Sequence, residues 1–257
     1  MMLDRILGDA RVRSEASVGR RAEFEHAAAA ADPARGFAAA LARPGLSVVA
    51  EVKRRSPSRG VLAAGLDAVG QALIYEAAGA SAVSVLTEPL YFDGSLEDLV
   101  AVRDAVSIPL LRKDFLMEPA QVWEARAAGA DAVLLIVAAL EPDLLAEMLA
   151  TASDAGLDAL VEVHNAVEAS TARAAGATLV GVNNRNLATF VTDLAVAEDL
   201  AASVQGPGIV AVAESGIHGA GDTERMRDAG YDAILVGEAL VVADDPAAAL
   251  RLLVGAP

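Results

Sequence analysis

The chain has 257 residues, of which 20 are Lys or Arg and 36 are Asp or Glu, so its formal net charge is -16. Its hydrophobic content of 54% is enough to form a full core, which excludes intrinsic disorder. The length fits one barrel-sized domain or two small ones. The acidic charge argues against nucleic acid as a partner, because its phosphate backbone would be repelled. The absence of cysteine excludes disulfides, thiolate nucleophiles and cysteine-ligated metals.

No stretch of the sequence is suited to crossing a membrane. The longest purely apolar run, residues 132–140, is about half of what a bilayer requires. Charged residues occur from Asp4 onward, so the N-terminus lacks the apolar core of a signal peptide. We therefore expect a cytoplasmic protein without a membrane partner.

Residues 1–46 stand outside the repeat that follows them, and we expect them to form an N-terminal helical extension. Leu3, Ile6, Leu7 and Ala10 make one helical stripe. Residues 33–42 predict a second short helix. The extension could be a lid over one end of the main domain or could serve for packing alone, and the sequence leaves both interpretations open.

From residue 47 onward, eight β-branched runs alternate with Ala-rich stretches. Most of the runs are continuously apolar, as strands buried on both faces require. The predicted strands are residues 47–52, 82–87, 109–113, 132–138, 159–163, 179–183, 209–214 and 233–237. A glycine suited to ending a helix precedes five of them, in AAGASAV, AAGADAV, DAGLDAL, AAGATLV and DAGYDAI.

Eight strand-and-helix repeats predict an α/β protein with a (β/α)8 TIM barrel over residues 47–257. A doubly wound open sheet is the alternative architecture. That fold usually carries a GxGxxG loop after its first strand, and the loop KRRSPSRG lacks this spacing. The barrel is therefore favoured.

Polar residues at the carboxyl ends of the strands are the candidate active-site residues, because the active sites of such barrels form there. They include Glu51, Lys53, Lys113, Glu162, Asn183, Arg185, Glu214, Ser215 and Glu238. The chain has 18 Arg but only two Lys, Lys53 and Lys113, and both fall at strand ends. Since arginine supplies positive charge elsewhere, we expect these two positions to need what a guanidinium cannot do, which is either to lose a proton or to fit as a compact point charge.

Two glycine-containing loops near the C-terminus predict a phosphate site. SGIHG at 215–219 and VGEAL at 236–240 place Gly216 and Gly237 where backbone N–H groups can approach an anion. Lys53, Arg54 and Arg185 are expected to supply positive charge. We expect the Glu238 side chain to point away from the phosphate while its N–H donates a hydrogen bond.

The three histidines, His26, His164 and His218, are not spaced as metal ligands, so we expect no metal site. His164 is expected to face a helix rather than the mouth of the barrel. Phe115 is a candidate to stack on an aromatic substrate, whereas Trp123 is expected to pack in the core.

Several segments, in the right order and each at a strand end, resemble the indole-3-glycerol-phosphate synthase family. They are VVAEVKRRSPSRG, LTEPLYFDGSLEDL, IPLLRKDFLMEPAQVWEARAAGADAVLLIVAAL, LVEVHNAVEA, VGVNNRNLATF, VAESGI and ILVGEAL. The resemblance runs from about residue 46 to the C-terminus. It implies a role in tryptophan biosynthesis, in which carboxyphenylamino-deoxyribulose 5-phosphate is converted to indole-3-glycerol phosphate with loss of carbon dioxide and water. It also implies that no cofactor or metal is needed.

The resemblance further implies a role for each candidate residue. Lys113 would be the general acid, Lys53 would hold the substrate carboxylate or phosphate, and Glu162 would be the base, with Glu51 as its competitor. The implied substrate-binding residues are Ser56, Phe115, Asn183, Arg185, Glu214 and Ser215. The implied phosphate-binding groups are Lys53, Gly216, Gly237 and the N–H of Glu238.

Two other functions stay open from the residues alone. A Schiff-base aldolase also uses a barrel lysine beside carboxylates, and a barrel could bind a phosphorylated ligand without turning it over. Phosphoribosylanthranilate isomerase is disfavoured, because resemblance to it would call for a catalytic cysteine. We expect a monomer that binds a small phosphorylated substrate, with other enzymes of the pathway as candidate partners.

Overall fold

The computed structural model describes residues 2–187 and 189–255 of the chain. Outside the described residues lie Met1, the first residue of the predicted extension, and residues 256–257, the last two of the predicted barrel. Ala188 of the VGVNNRNLATF segment also lies outside them. Within the described ranges, no helix combines the length and the apolar character that a membrane span requires.

The strands agree closely with the predicted ones. They are β1 (Ser47–Val52), β2 (Arg55–Ser56), β3 (Gly60–Val61), β4 (Ala82–Leu86), β5 (Leu110–Lys113), β6 (Ala132–Ile136), β7 (Asp158–Val163), β8 (Leu179–Asn183), β9 (Val210–Glu214) and β10 (Ala233–Val236). The strand predicted over 132–138 is shorter than expected, because the chain turns into a single 3-10 turn at Val137–Ala139.

The first three helices form the N-terminal extension, and the others follow the strands of the barrel. They are α1 (Met2–Val18), α2 (Arg21–Ala30), α3 (Phe37–Leu41), α4 (Ala68–Ala77), α5 (Leu96–Ala105), α6 (Pro119–Ala127), α7 (Pro142–Asp154), α8 (Ala166–Ala174), α9 (Ala195–Val204), α10 (Ala220–Asp228), α11 (Glu238–Val241) and α12 (Pro246–Val254). Helix α2 was not predicted, because its RAEFEHAAAA sequence has only a weak apolar stripe.

Eight parallel strands close into a barrel, which confirms the predicted (β/α)8 architecture. β1 and β4–β10 pair in chain order, and the ring closes because β1 pairs with both β4 and β10. An open sheet would leave β1 or β10 with an unpaired edge, so the doubly wound alternative is excluded. β2 and β3 form a separate antiparallel ladder in the loop after β1.

The N-terminal extension reaches both ends of the barrel. Helix α3 plugs the end at which the strands begin: Phe37 and Leu41 are fully buried against side chains of the barrel interior. The N–H of Ala38 donates to Asp158 Oδ2 at 2.8 Å, at the start of β7. Helix α1 lies at the opposite end, where Leu3 and Ile6 contribute to the wall of the cavity described below. The extension is therefore both a cover at the mouth and a plug at the base.

Candidate active site

A cavity of about 140 Å³ lies at the carboxyl ends of the barrel strands. This volume is close to that which admits a benzene ring in a protein interior, so one aromatic ring fits within it. The predicted site residues that line it are Glu51, Lys53, Ser56, Lys113, Phe115, Glu162, Asn183, Arg185, Ser215, Gly216, Gly237 and Glu238. Glu214, whose side chain is fully buried, does not line it.

The only two lysines of the chain meet at one carboxylate. Lys53 follows β1 and Lys113 ends β5, and parallel strands bring such positions to one rim. Lys53 Nζ lies 2.6 Å from Glu51 Oε1. Lys113 Nζ lies 3.0 Å from Glu51 Oε2. The structure therefore places two ammonium groups on either side of a single buried carboxylate.

The charges in this cluster stabilise one another. Burial alone would lower the pKa of Lys113, but the negative charges of Glu51, Glu214 and Glu162 raise it above its ordinary value. Burial alone would raise the pKa of Glu51, whereas the charges of Lys113 and Lys53 lower it to about 2. At neutral pH, Lys113 is therefore an ammonium and Glu51 a carboxylate.

Glu214 is a second carboxylate beside Lys113. Its Oε2 lies 3.6 Å from Lys113 Nζ, and neither of its oxygens accepts a hydrogen bond from the described residues. Burial and the neighbouring charges of Glu162 and Glu51 raise the pKa of Glu214, although Lys113 opposes the shift. Because this raised pKa, about 8, lies above neutral pH, Glu214 is mostly protonated at pH 7, and it contacts Lys113 without lining the cavity.

Two glycines make room for these carboxylates. A Cβ atom at Gly181, in β8, would overlap the Glu214 carboxylate. A Cβ atom at Gly237, just after β10, would overlap the Glu51 carboxylate. Gly237 therefore has a steric reason to be glycine, in addition to the approach of its backbone to an anion that the sequence suggests.

His164 faces helix α8 and does not line the cavity, as expected, but it also contacts Glu162. Its Nε2 lies 3.2 Å from Glu162 Oε1, and its Nδ1 lies 3.0 Å from Glu168 Oε2. The contact with Glu162 was not predicted, although residues 162 and 164 are two positions apart and side chains at that spacing share a face of an extended chain. Burial alone would raise the pKa of Glu162, but His164, Lys113 and Asn183 lower it.

The predicted phosphate region contains an unforeseen ion-pair cluster. Glu238 Oε1 lies 3.0 Å from Arg59 Nε, and Glu238 Oε2 lies 3.6 Å from Arg185 Nη2. Glu238 contributes to the lining of the cavity and its carboxylate pairs with these two arginines, while the expectation that it points away from a bound phosphate stays a prediction. Arg54 was expected to supply charge here, but it forms a two-bond ion pair with Asp98 at 2.6 and 2.8 Å and does not line the cavity.

The opposite part of the cavity is apolar. The rings of Phe92 and Phe115 lie 6.3 Å apart, tilted by 39°. Leu3 and Ile6 from α1 complete this wall. The wall can accept an aromatic ring, because apolar and tilted aromatic contacts favour its burial. Trp123, by contrast, packs against the hydrophobic core, as expected.

Helix α1 is held over the mouth by polar contacts. Arg13 Nη2 donates to Asp114 Oδ1 at 2.9 Å, and Asp114 also accepts from Thr87 Oγ1 at 2.8 Å. Tyr91 Oη donates to Asp9 of α1. Asp114 directly follows Lys113, so the same contacts that hold the helix also anchor the chain beside the ammonium.

Two contacts of the site were not predicted, because the sequence carries only a weak local pattern for one of them and none for the other. The two-residue spacing of His164 from Glu162 is a local signal for their contact, because it puts both side chains on one face of an extended chain. Arg59 lies in the KRRSPSRG motif, yet nothing in the motif shows that β2 and β3 turn it back over the mouth. Among the described residues, no group of three or more His, Asp or Glu is arranged to hold a metal ion.

The closed barrel and its site define a (β/α)8-barrel enzyme in which ammonium and carboxylate groups surround a cavity suited to a small molecule. A profile of the family described as indole-3-glycerol phosphate synthase matches residues 3–253. The chain belongs to this family, whose members are carboxy-lyases.

Relatives of the same name are similar over almost the whole chain. Indole-3-glycerol phosphate synthase of Rhodococcus jostii (strain RHA1) is 50% identical, covering 99% of this chain and 95% of its own. The enzyme of Chlorobium luteolum is 50% identical, over 90% of this chain and 87% of its own. "Indole-3-glycerol phosphate synthase 2" of Streptomyces coelicolor is 47% identical, over 97% of this chain and 99% of its own.

Solved structures show the same fold at low sequence identity. A 3-hexulose-6-phosphate synthase superimposes with a TM-score of 0.65 at 19% identity, covering 82% of this chain and 99% of the other. The 3-hexulose-6-phosphate synthase of Salmonella typhimurium gives a TM-score of 0.66 at 14% identity, covering 82% and 97% of the two chains. These similarities concern the barrel alone.

Proposed function

We propose that this chain converts carboxyphenylamino-deoxyribulose 5-phosphate to indole-3-glycerol phosphate in tryptophan biosynthesis. One observation carries the proposal: at the cavity, the Lys113 ammonium is held among carboxylates, in a chain that belongs to the family of that name. The substrate is a small phosphorylated molecule with an aromatic ring, and the cavity offers an apolar wall and, at its other side, arginine side chains.

The reaction forms the carbon–carbon bond that closes the ring and a carbon–carbon double bond within it. It breaks the bond to the carboxylate, both bonds between the ketone carbon and its oxygen, and one C–H bond. The ring carbon that bears the substrate carboxylate attacks the ketone carbon, the carboxylate leaves as carbon dioxide, and the former ketone oxygen leaves as water. That oxygen takes up two protons, and one proton is removed from the adjacent carbon of the chain. The net uptake of one proton balances the negative charge lost with the carboxylate.

Lys113 is the group suited to give the first proton. Negative charge develops on the ketone oxygen during ring closure, and a positioned ammonium both stabilises it and supplies the proton. The raised pKa of Lys113 ensures that it begins protonated. Lys53, on the other side of Glu51, is placed to hold the substrate carboxylate or phosphate and to give a later proton.

Glu162 is better placed than Glu51 to be the base. Both oxygens of Glu51 face lysine ammonium groups, so neither is left for a substrate proton. Glu162 also lines the cavity, and among the described residues its one ion pair is with His164, through Oε1. We therefore assign the removal of the carbon-bound proton to Glu162.

We assign the remaining wall residues to binding. Asn183, Ser215 and Ser56 would bind substrate hydroxyls and Phe115 would contact the ring, and all four line the cavity. The N–H groups of Gly216, Gly237 and Glu238, with Lys53 and Arg185 nearby, are the proposed phosphate-binding groups. The Lys113 contact of Glu214 suggests that it supports this lysine rather than binding substrate directly.

The experiment that tests the proposal is a fluorescence assay for indole formation from the named substrate. Lys113→Ala should lower turnover by at least about a hundredfold, the loss expected for a positioned general acid. Lys113→Arg should also be impaired, since guanidinium keeps the charge but does not give up its proton. Arg21→Ala, on exposed α2, is the matched control and should keep full activity. A wild-type protein that forms no indole product would refute the proposal.

A Schiff-base aldolase is disfavoured by the same geometry. Imine formation needs a neutral amine, whereas the Lys113 pKa is raised by neighbouring carboxylates and its nitrogen is an ammonium. Borohydride trapping with a carbonyl substrate should therefore leave the protein without a covalent adduct. An adduct on Lys53 or Lys113 would favour the aldolase instead.

A further inference from the structure

We propose that His164 is a positioning residue for the base Glu162, holding a positive charge against one of its carboxylate oxygens while Glu168 holds the imidazole in place. This inference rests on the proposed function, because it concerns the base of that reaction. His164 belongs to neither the lysine cluster nor the phosphate region, and its contacts give it a separate task.

The imidazole bridges two carboxylates on different elements. Glu162 lies in β7 and Glu168 in the first turn of α8, and the ring of His164 spans them through Nε2 at 3.2 Å and Nδ1 at 3.0 Å. Its Nε2 is buried and has no hydrogen-bond geometry with any of the described residues, so its contact with Glu162 Oε1 is an ion pair. An imidazole with a carboxylate at each nitrogen is favoured in its doubly protonated form.

Glu168 is itself held in a fixed position, so the bridge is not free to turn. Its Oε2 accepts from the backbone N–H of His164 at 2.8 Å, and its Oε1 accepts from Asn165 Nδ2 at 2.6 Å. Asn165 caps α8 by accepting from the backbone N–H of Glu168 at 3.0 Å. The start of the helix thus fixes Glu168, Glu168 fixes His164, and His164 fixes one oxygen of Glu162.

The other groups around this bridge act on Glu162 from the barrel side. Lys113 lowers its pKa, the Asn183 side chain donates to it, and Glu214 is the neighbouring carboxylate. The 3-10 turn after β6, which packs against β7 and α8, contributes only Val and Ala side chains. Among the described residues, the ion pair that reaches Glu162 from the side of α8 is the one with His164.

The consequence is that Glu162 should be ionised, and able to accept a proton, at a lower pH than an ordinary glutamate. Burial alone would lower the pKa of His164, but its contacts with Glu162 and Glu168 raise it to about 10. The charged ring in turn favours the ionised form of Glu162, which must be ionised to accept a proton. Activity should therefore rise with pH through a Glu162 pKa that lies below its usual range, and loss of the imidazolium should move this rise to higher pH.

Two substitutions separate charge from structure. His164→Gln keeps a side-chain amide near Nε2 but removes the charge, and its acid limb of kcat/KM should move upward by about 1–3 pH units. His164→Asn reaches only toward Glu168, so it should show the same movement and also lose about tenfold to a hundredfold in kcat at the plateau, because Glu162 is no longer oriented. His26→Gln, on exposed α2, is the matched control and should reproduce the wild-type profile.

The outcomes distinguish the inference from a structural role and from failure of the proposed function. If both His164 variants lose activity equally at every pH, with the acid limb unmoved, the inference is wrong. An NMR titration of wild-type protein tests it without any variant: His164 should titrate near pH 10, and titration near 6.5 would overturn the inference. If the wild type turns over no substrate, the proposed function fails, while the titration still decides whether the charged bridge exists.

Discussion

Replacing Glu51 by Gln removes the one carboxylate that both lysines contact, while keeping the size of the side chain. The pKa of Glu51 falls from 4.5 to about 2 on folding, and at about 1.4 kcal/mol per pKa unit this corresponds to roughly 3 kcal/mol of stability at neutral pH. Because the folded-state pKa is the lower one, this stabilisation is fully present above the unfolded-state pKa near 4.5. It is lost as the pH falls toward 2.

Urea unfolding at pH 7 and pH 3 measures the effect. Glu51→Gln should be less stable than wild type by about 3 kcal/mol at pH 7 and by about half of that at pH 3. The difference shrinks because pH 3 lies between the two pKa values of Glu51, where its ionisation contributes less to the stability of the wild type. Glu15→Gln, at an exposed position of α1, is the control and should change stability by less than about 0.5 kcal/mol at both pH values. A stability difference for Glu51→Gln that is the same at both pH values would refute the assignment of its charge to the lysine pair.

Three further substitutions test other parts of the site. Glu238→Ser should tighten inhibition by inorganic phosphate several-fold, because it releases two arginine side chains; weaker inhibition would mean that Glu238 positions them instead. Gly237→Ala should lower kcat at least about tenfold by displacing Glu51, and normal turnover would show that the carboxylate can move aside. Arg13→Ala should cost about 1–3 kcal/mol in urea unfolding, because buried Asp114 loses a charged hydrogen-bond partner; unchanged stability would show that α1 is held by apolar contacts.

The positions of the two lysines at one rim of the barrel can be predicted from the sequence for a simple physical reason. In a parallel barrel the carboxyl ends of all strands reach one rim, so a residue's position at a strand end already places it near the others. Lys53, Lys113, Glu51 and Glu162 were found in this way. The same rule says nothing of the loops beyond the strands, and there the expectation for Arg54 was wrong because Asp98 on α5 draws it outward.

The order of strands and helices, the barrel that they form and the residues at its rim can be read from the amino-acid sequence, because they follow from apolar periodicity and from local helix-ending signals. Which charges pair becomes visible only in the folded structure. In the folded chain, Arg59 pairs with Glu238 and Glu168 pairs with His164. Helix α1 of the N-terminal extension lies at the mouth of the barrel, and helix α3 lies at its base. Such pairings depend on distances between side chains far apart in the chain, and no local pattern in the sequence encodes those distances.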